Sequence, residues 1–471
     1  MNRNSNTGIF WIMAFVFLLW AAVLTYKYLY LGFYDWDLAF FNQSFWNMIQ
    51  GRQYSSIFGY NFLGDHASYI VLFLLPAYAL FPSPLTLLYI KAAAFALSLY
   101  WLYRLAHEKL GHAGAVAIVL LFSFFVPNCF ALLYEFSMEC FAPLFIFMMF
   151  DAWRRKDLRL FWIVAVLLCL TKENLILVVM AFGMYGLIQR RSFAWNWGAI
   201  LFSCVGLAMA MVTVKCFRGE EGVSAWLRYK HLFAAPMAMG QSLFSAWNAR
   251  FLADLFSPCG AIAFISPASL VLGVPIFLLH ALSIHPTEHS IFYFYGFAMT
   301  PFIFVALIDS LAWVGSRFGR KMFVVFLVLF MMGCGVGAIR YKNVLWQDVR
   351  RFSDTEVAFR WELIQKIPPQ AGVVTSFDVL APLSSRLKAY SFYKVYNDKF
   401  QDPEKSRNTE FAMGKIFELP EDVTYALVDT HDPWMTDSQP EKIRIRKFFS
   451  DGWKLMEQRG GLKLFHRQGR E

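Results

Sequence analysis

The chain is 471 residues long, 58% hydrophobic and only 16% charged, with 51 Phe and 16 Trp. A soluble chain carries about a quarter charged residues, so an ordinary water-soluble globule is excluded. The formal charge of +10 does not mark a nucleic-acid binder either, because much of the Lys and Arg lies in short stretches between apolar blocks, where it sets membrane orientation.

Apolar blocks of about 20 residues match the hydrocarbon thickness of a bilayer. The first, 9–31, is too long for a signal-peptide core and has no small-x-small cleavage site, so it is expected to stay as the first span. The basic clusters Arg104/Lys109, Arg154-Arg155-Lys156 with Arg159, Arg190-Arg191 and Arg317/Arg320/Lys321, together with Arg3, belong on the cytoplasmic side. Spans near 9–31, 85–105, 113–133, 138–153, 158–171, 175–189, 196–217, 255–265, 267–282, 290–313 and 321–340 satisfy all of them. Several are short, and 158–189 and 255–282 are expected to be bent hairpins with recessed tips. A further apolar stretch, 68–81, precedes Pro82-Ser83-Pro84. If it spanned, every later basic cluster would flip outward, so it is expected to be re-entrant or interfacial. The loop after Arg218 carries Trp226, Trp247 and Arg250 in a helical period, which suits a helix lying at the membrane surface.

From residue 341 the composition becomes that of a globular domain. A helix is expected over 355–366, ending before Pro368-Pro369. Residues 373–377 and 425–428 have the character of buried strands, and 453–457 and 462–465 that of a hairpin around Gly460-Gly461. The expected architecture is an all-α polytopic membrane domain, 1–340, of about eleven transmembrane helices, followed by a small extracytoplasmic α/β domain, 341–471. All seven Cys fall in or beside the apolar blocks and suggest neither a disulfide framework nor a Cys-based metal site.

On this topology the ionisable residues near the membrane gather at the outer face of the cell membrane. Asp35 and Asp37 follow the first span, Asp65-His66 closes the same loop, and Glu135 and Glu139 bracket the start of the fourth span. Lys172-Glu173 interrupts about 30 apolar residues, and His285, Glu288 and His289 occupy a late outer turn around Pro286. Ionisable groups at membrane depth cost several kcal/mol and usually face a cavity and a partner. Each also has a plain alternative: loop acids in water, a helix cap at Asp65, a self-neutralising pair at 172–173. No phosphate loop, dinucleotide fingerprint or strong metal motif is present.

Outward acids, a buried Lys and late His residues suit sugar transfer from a lipid-linked donor. A carboxylate takes the proton of the attacking hydroxyl. Lys and His, or a divalent metal such as magnesium or manganese held by Asp37 and His66, offset charge on the departing lipid phosphate. Composition alone equally suits a transporter or lipid flippase.

The stretch from Asp37 through Asn42, Gln43 and Asn47 to Gly51-Arg52 resembles the start of a family of microbial membrane proteins designated domain of unknown function 2079. The likeness continues in order through His66-Ala67-Ser68, Leu75-Pro76-Ala77-Tyr78, Glu135-Phe136 with Glu139, Lys172-Glu173, and Tyr295 with Pro301-Phe302. That family looks like the C-type (GT-C) glycosyltransferases, multi-span enzymes that use polyprenyl-phosphate sugars and carry a catalytic acid in the first outer loop. The resemblance implies that Asp37, assisted by Asp35, is the base or a metal ligand. It implies that Glu135 or Glu139 fills the second acidic position and that Lys172, following Thr171, faces the donor phosphate; His285 and His289, from their place in the late outer turn, are expected beside it. Asp65, His66, Glu173, Gln43 and Tyr295 would contact substrate. Asn42 stands where Asp is common in the family, and Ser137-Met138 where His-Pro is common. The other functions left open are a transporter, for which no inverted repeat is visible, and a non-catalytic scaffold presenting the C-terminal domain. Accessibility labelling from either side of the membrane is expected to find the Asp37 loop opposite residues 154–159; both on one side would overturn this topology.

Overall fold

The computed structural model describes residues 3–34, 37–218, 228–233, 237–259, 262–392, 419–431 and 452–467. Asp35 and Trp226 therefore lie outside the described residues. The first helix, α1 (Arg3–Leu29), runs antiparallel to α4 (Pro84–Ser123): Thr25 meets the Tyr89 hydroxyl at 2.8 Å, and Phe10 stacks on Tyr100. Between them lie α2 (Asp37–Ile49), a small hairpin of β1 (Tyr54–Ser55) with β2 (Tyr60–Asn61), and α3 (Val71–Leu80). Ten residues of helix rise about 15 Å, half the hydrocarbon thickness, so α3 is too short to cross. Its Leu72, Phe73 and Leu80 are exposed, as suits an interfacial or re-entrant helix.

The chain continues through α5 (Val126–Leu133), α6 (Ala142–Arg155), α7 (Leu158–Thr171), α8 (Ile176–Ile188) and α9 (Trp197–Arg218). After α10 (Ala238–Leu243), α11 (Ala246–Phe256) and α12 (Ala268–Ala281) comes α13 (Thr300–Val349). Four helices are long and apolar enough to span by themselves, within 7–29, 84–123, 193–218 and 300–365; α3, α7, the 173–188 stretch with α8, and α12 are shorter apolar helices. Two of the long ones are sharply bent. Gly111 in α4 and Gly319 in α13 have φ of 70° and 82°, a left-handed conformation that glycine adopts without steric cost, so each helix doubles back there.

Both bends lie at the end of the bundle where the basic clusters meet. Lys109 and Arg154 share Asp309, at 2.6 and 2.7 Å, while Arg104 and Arg155 share Asp151. Arg191 donates to the Trp153 carbonyl and stacks on the Trp153 ring. Arg104, Lys109, Arg154, Arg155 and Arg191 thus meet at one end, as the spacing predicts.

Several expected segments come out differently. In 290–313 the α-helix begins only at Thr300, after turns and a 3-10 segment. The described residues of 255–265 are not a helical span: α11 ends at Phe256, ahead of Pro258, a short 3-10 segment covers 262–264, and the N–H of Ser266 donates to Ser310 inside the bundle. Gly333 of α13 makes room for the Pro258 carbonyl. The hairpin into α12 therefore has one irregular limb. Span 113–133 is broken at Phe124-Phe125, between α4 and α5. The last span does not stop at 340 but continues to Val349.

Beyond it, α14 (Asp354–Gln365) starts on a capping box formed by Ser353 and Glu356. Strands β3 (Gly372–Thr375), β4 (Ala389–Ser391), β5 (Val423–Asp429), β6 (Trp453–Arg459) and β7 (Leu462–Arg467) form one sheet in the order β4-β3-β5-β7-β6, with α15 (Phe377–Leu380) after β3. The first three are parallel, and β6–β7 is the antiparallel hairpin. Phe359, Leu363, Phe377, Val379 and Leu380 share one apolar cluster with the helical bundle. Arg360 bridges Asp378 and Asp429, all three buried, and lies on the Phe352 ring. Removing the cation they share leaves two buried carboxylates without an ion-pair partner among the described residues. Arg360→Met is expected to destabilise the sheet by about 3–5 kcal/mol, measured by pulse proteolysis of the C-terminal region in urea.

Candidate active site

The opposite end of the bundle holds the isolated acids, and it is organised by a break in the chain. After α5 the backbone leaves the helix at Leu133 and runs irregularly to Ser137, so its carbonyls lack intrahelical partners. Two lysines from within apolar helices satisfy them. Lys27 donates to the Leu133 carbonyl at 2.8 Å and to Asp348 at 2.7 Å; Lys91 donates to the carbonyls of Tyr134 at 2.6 Å and Glu135 at 3.3 Å. Neither lysine belongs to the set singled out from sequence, although a lone Lys in an apolar span is the signal that marks such a group.

The loop so fixed holds the start of α2. The Tyr134 hydroxyl donates to Asp37 Oδ2 at 3.2 Å, and Glu135 Oε2 accepts the Leu38 backbone N–H at 2.6 Å. A carboxylate there satisfies an otherwise orphan donor and complements the positive end of the helix. Glu135 therefore acts on the helix that carries Asp37.

Glu139 is fully buried. Its Oε1 accepts from Asn174 and lies 3.5 Å from Lys172 Nζ, while Oε2 has no hydrogen-bond partner among the described residues. Lys172 occupies the extended break between α7 and α8, with its amine 5.2 Å from the centre of the Phe294 ring. Phe294 also packs on Tyr134 and on Tyr295, at 5.4 and 4.4 Å between ring centres. One aromatic wall thus joins the Asp37 loop to the Glu139–Lys172 pair. Tyr295 lies within electrostatic reach of Asp37, Glu139, Glu288 and Arg228, and its ring is 4.9 Å from that of His280.

Two flanking networks complete the end. His66 Nδ1 meets Glu173 Oε1 at 2.6 Å, the Ala67 N–H donates to Glu173 Oε2, and Asp65 pairs with Arg218 and Tyr60. On the other side Glu288 accepts from His280 at 2.8 Å and Arg228 at 2.9 Å. Both ring nitrogens of His289 are engaged, by Asn248 Oδ1 and the Ser283 carbonyl. Burial, then the neighbouring Arg228, hold His285 below the usual imidazole range, so it offers a neutral ring. Gln43 is completely buried, and both ends of its amide are used within the protein: Nε2 donates to Ser56 and to the carbonyls of Arg386 and Leu387, while Oε1 accepts from Ser55 and the Ile57 N–H. Asn174, Tyr134, Arg218 and Arg228 join the site without having been singled out, because only the fold brings them to it.

Among the described residues no three His, Cys, Asp or Glu side chains gather as metal ligands. Asp37 turns to Tyr134 and His66 to Glu173, and the fixed positive charge beside Glu139 is the Lys172 amine.

A profile of the family described as predicted membrane protein (DUF2079) matches residues 26–464. The chain belongs to that family. No curated protein matches the sequence. Among solved structures, this DUF2079 member is similar to ArnT from Cupriavidus metallidurans bound to undecaprenyl phosphate, with a TM-score of 0.56 over 96% of this chain and 97% of that one at 11% identity. It is also similar to the apo state of the same protein, with a TM-score of 0.53 over 95% and 97% of the two chains at 11% identity. At this identity the likeness of the two proteins is one of fold alone.

The buried Glu288 allows a direct check of the electrostatics. Burial would raise its pKa, but the His280 hydrogen bond and charge, with Arg228, hold it at about 2 against an ordinary 4.5. Between those values the unfolded chain binds a proton that the folded one does not, so stability grows with pH there and is constant above. Arg228 is a third exposed, so Glu288→Gln is expected to cost about 2–3 kcal/mol at neutral pH. In denaturant titrations the gap from wild type should narrow only below pH 4.5.

Proposed function

We propose that the protein is a membrane glycosyltransferase that moves a sugar from a polyprenyl-phosphate donor to a hydroxyl acceptor at the outer face of the cell membrane. The observation that carries this reading is the shared aromatic wall: through Tyr134 and Phe294, an acid on a helix N-terminus stands beside a buried carboxylate–lysine pair. The GT-C fold supports it, as does the polyprenyl phosphate bound by the structurally similar ArnT. The collection of the basic clusters at the opposite end fits an outward-facing site.

In this reading Asp37 is the general base, oriented by Tyr134 and assisted by Asp35. The acceptor oxygen attacks the anomeric carbon and gives its proton to the Asp37 carboxylate. The bond from that carbon to the phosphate oxygen breaks, and the polyprenyl phosphate leaves with the bonding electrons. Lys172, one of whose partners is Glu139, supplies positive charge where the phosphate charge grows. The unused Oε2 of Glu139 accepts a hydroxyl of the acceptor or sugar. Glu135 holds the helix that bears the base, and Asp65, His66 and Glu173 form the wall behind Lys172. His285 and Tyr295 line the remaining side, toward Arg228. The tail of the donor would lie along the apolar helices. A divalent metal would find no three-ligand set among the described residues.

With membranes supplied with a polyprenyl-phosphate hexose and release of polyprenyl phosphate as the readout, Asp37→Asn is expected to lower kcat by about 10²–10⁴. Protein level should be normal. Full activity in Asp37→Asn would remove Asp37 from the mechanism, and counterflow of intact substrate without any glycosyl product would favour a transporter.

A further inference from the structure

Two residues of the motif that follows Asp37 point away from the proposed substrate. Asn42 and Gln43 lie about one and a half turns along α2 from Asp37, both fully buried. Asn42 Nδ2 donates to the hydroxyls of Ser384 and Ser385 at 2.8 and 2.9 Å, and Asn42 Oδ1 accepts from Tyr78 of α3 at 2.7 Å. Gln43 Nε2 reaches the Arg386 and Leu387 carbonyls at 3.2 and 3.3 Å. Ser56, which accepts from Gln43, donates to the Ala389 carbonyl and accepts the Ala389 N–H, so it extends the edge of β4. An amide is a self-complementary donor and acceptor; here the NH2 groups of both residues donate to the segment 384–387 of the C-terminal region, while their oxygens accept from Tyr78, Ser55 and Ile57.

The same region also grips the chain ahead of Asp37. Asp348 pairs with Lys27, Trp361 Nε1 donates to the Leu29 carbonyl at 2.8 Å, and Tyr30 donates to Asp354 at 2.7 Å. Arg351 lies over the Tyr34 ring at 4.5 Å. The segment carrying Asp37 is therefore held on both flanks by residues between 348 and 389, although the intervening sequence is over three hundred residues away.

We propose that the C-terminal α/β region is a clamp on the Asp37 segment, and that Asn42 and Gln43 are positioning residues that seat α2 against residues 384–389 and so set where the Asp37 carboxylate stands. The catalytic half of this inference rests on Asp37 being the base; the mechanical half does not. A buried hydrogen-bond network with every member satisfied fixes one geometry, and removing one side leaves buried polar atoms unpaired. A displacement of about 1 Å at a reacting group can cost about a hundredfold in rate.

Two variants break the same hydrogen bonds from opposite sides: Asn42→Leu, and the double variant Ser384→Ala/Ser385→Ala. In the full-length protein in nanodiscs, hydrogen exchange followed by mass spectrometry is expected to show protection of α2 and of residues 29–34 falling about tenfold or more, with α8, β5 and β7 unchanged. Unchanged α2 protection, or an equal fall everywhere, would overturn the clamp, the second because it describes a general loss of stability. In the polyprenyl-phosphate hexose assay the same variants are expected to lower kcat by about ten- to a hundredfold with little change in donor KM. They should add nothing further in an Asp37→Asn background. If Asp37→Asn abolishes transfer while Asn42→Leu keeps wild-type kcat, positioning by the clamp is refuted. If Asp37→Asn retains full transfer, the base assignment fails instead, and the exchange experiment still decides whether the clamp exists.

Discussion

Between Leu133 and Ser137 a helix stops inside an apolar bundle, and the carbonyls exposed by that stop have little water to turn to. Leaving a buried carbonyl unpaired costs about 1–3 kcal/mol, and irregular backbone at membrane depth persists only where protein or a polar cavity satisfies it. Lys27 and Lys91 meet that demand from α1 and α4. Everything local to the site follows from the fixed loop: Tyr134 reaches Asp37, Glu135 receives the Leu38 N–H in the first turn of α2, and the chain re-enters the bundle with Glu139 facing Lys172.

The charged groups in and beside the bundle differ in how fully they are paired, and the difference separates support from function. Arg104, Arg154, Lys109, Asp151 and Asp309 neutralise one another at the basic end, and Arg360 is enclosed by two carboxylates in the C-terminal region. These are costly ions kept together by mutual need. Glu139 is different: fully buried, with a lysine and an amide on one oxygen and nothing described on the other. A carboxylate left half-satisfied in a dry site is the kind of group that a ligand completes.

Helix α2 is too short to be stable alone, since isolated helices under about 12–15 residues are marginal. Its stability is borrowed from Glu135 at its first turn and from residues 384–389 along its side. That dependence ties the far end of the polypeptide to the first outer loop and explains why the sheet region packs into the bundle rather than standing apart from it.

Much of this was legible without coordinates. Apolar block length against bilayer thickness, and the recurrence of basic clusters at alternate block ends, are local properties. They gave the membrane class, the shared end of Arg104, Lys109, Arg154, Arg155 and Arg191, and the interruption at Lys172; in the tail, local patterning placed a helix at 355–366 and strands at 373–377, 425–428, 453–457 and 462–465, against 354–365, 372–375, 423–429, 453–459 and 462–467 in the structure. The interrupted limb around Pro258, the partners of Asn42 and Gln43, and the roles of Lys27 and Lys91 were not legible, because each depends on a neighbour distant in sequence. A donor in an apolar helix announces that it needs an acceptor, but not which one. By itself the sequence determined where the chain must avoid water and which groups needed partners; the tertiary structure alone chose those partners, because hydrogen bonds and ion pairs act over a few ångströms in space and are blind to separation along the chain.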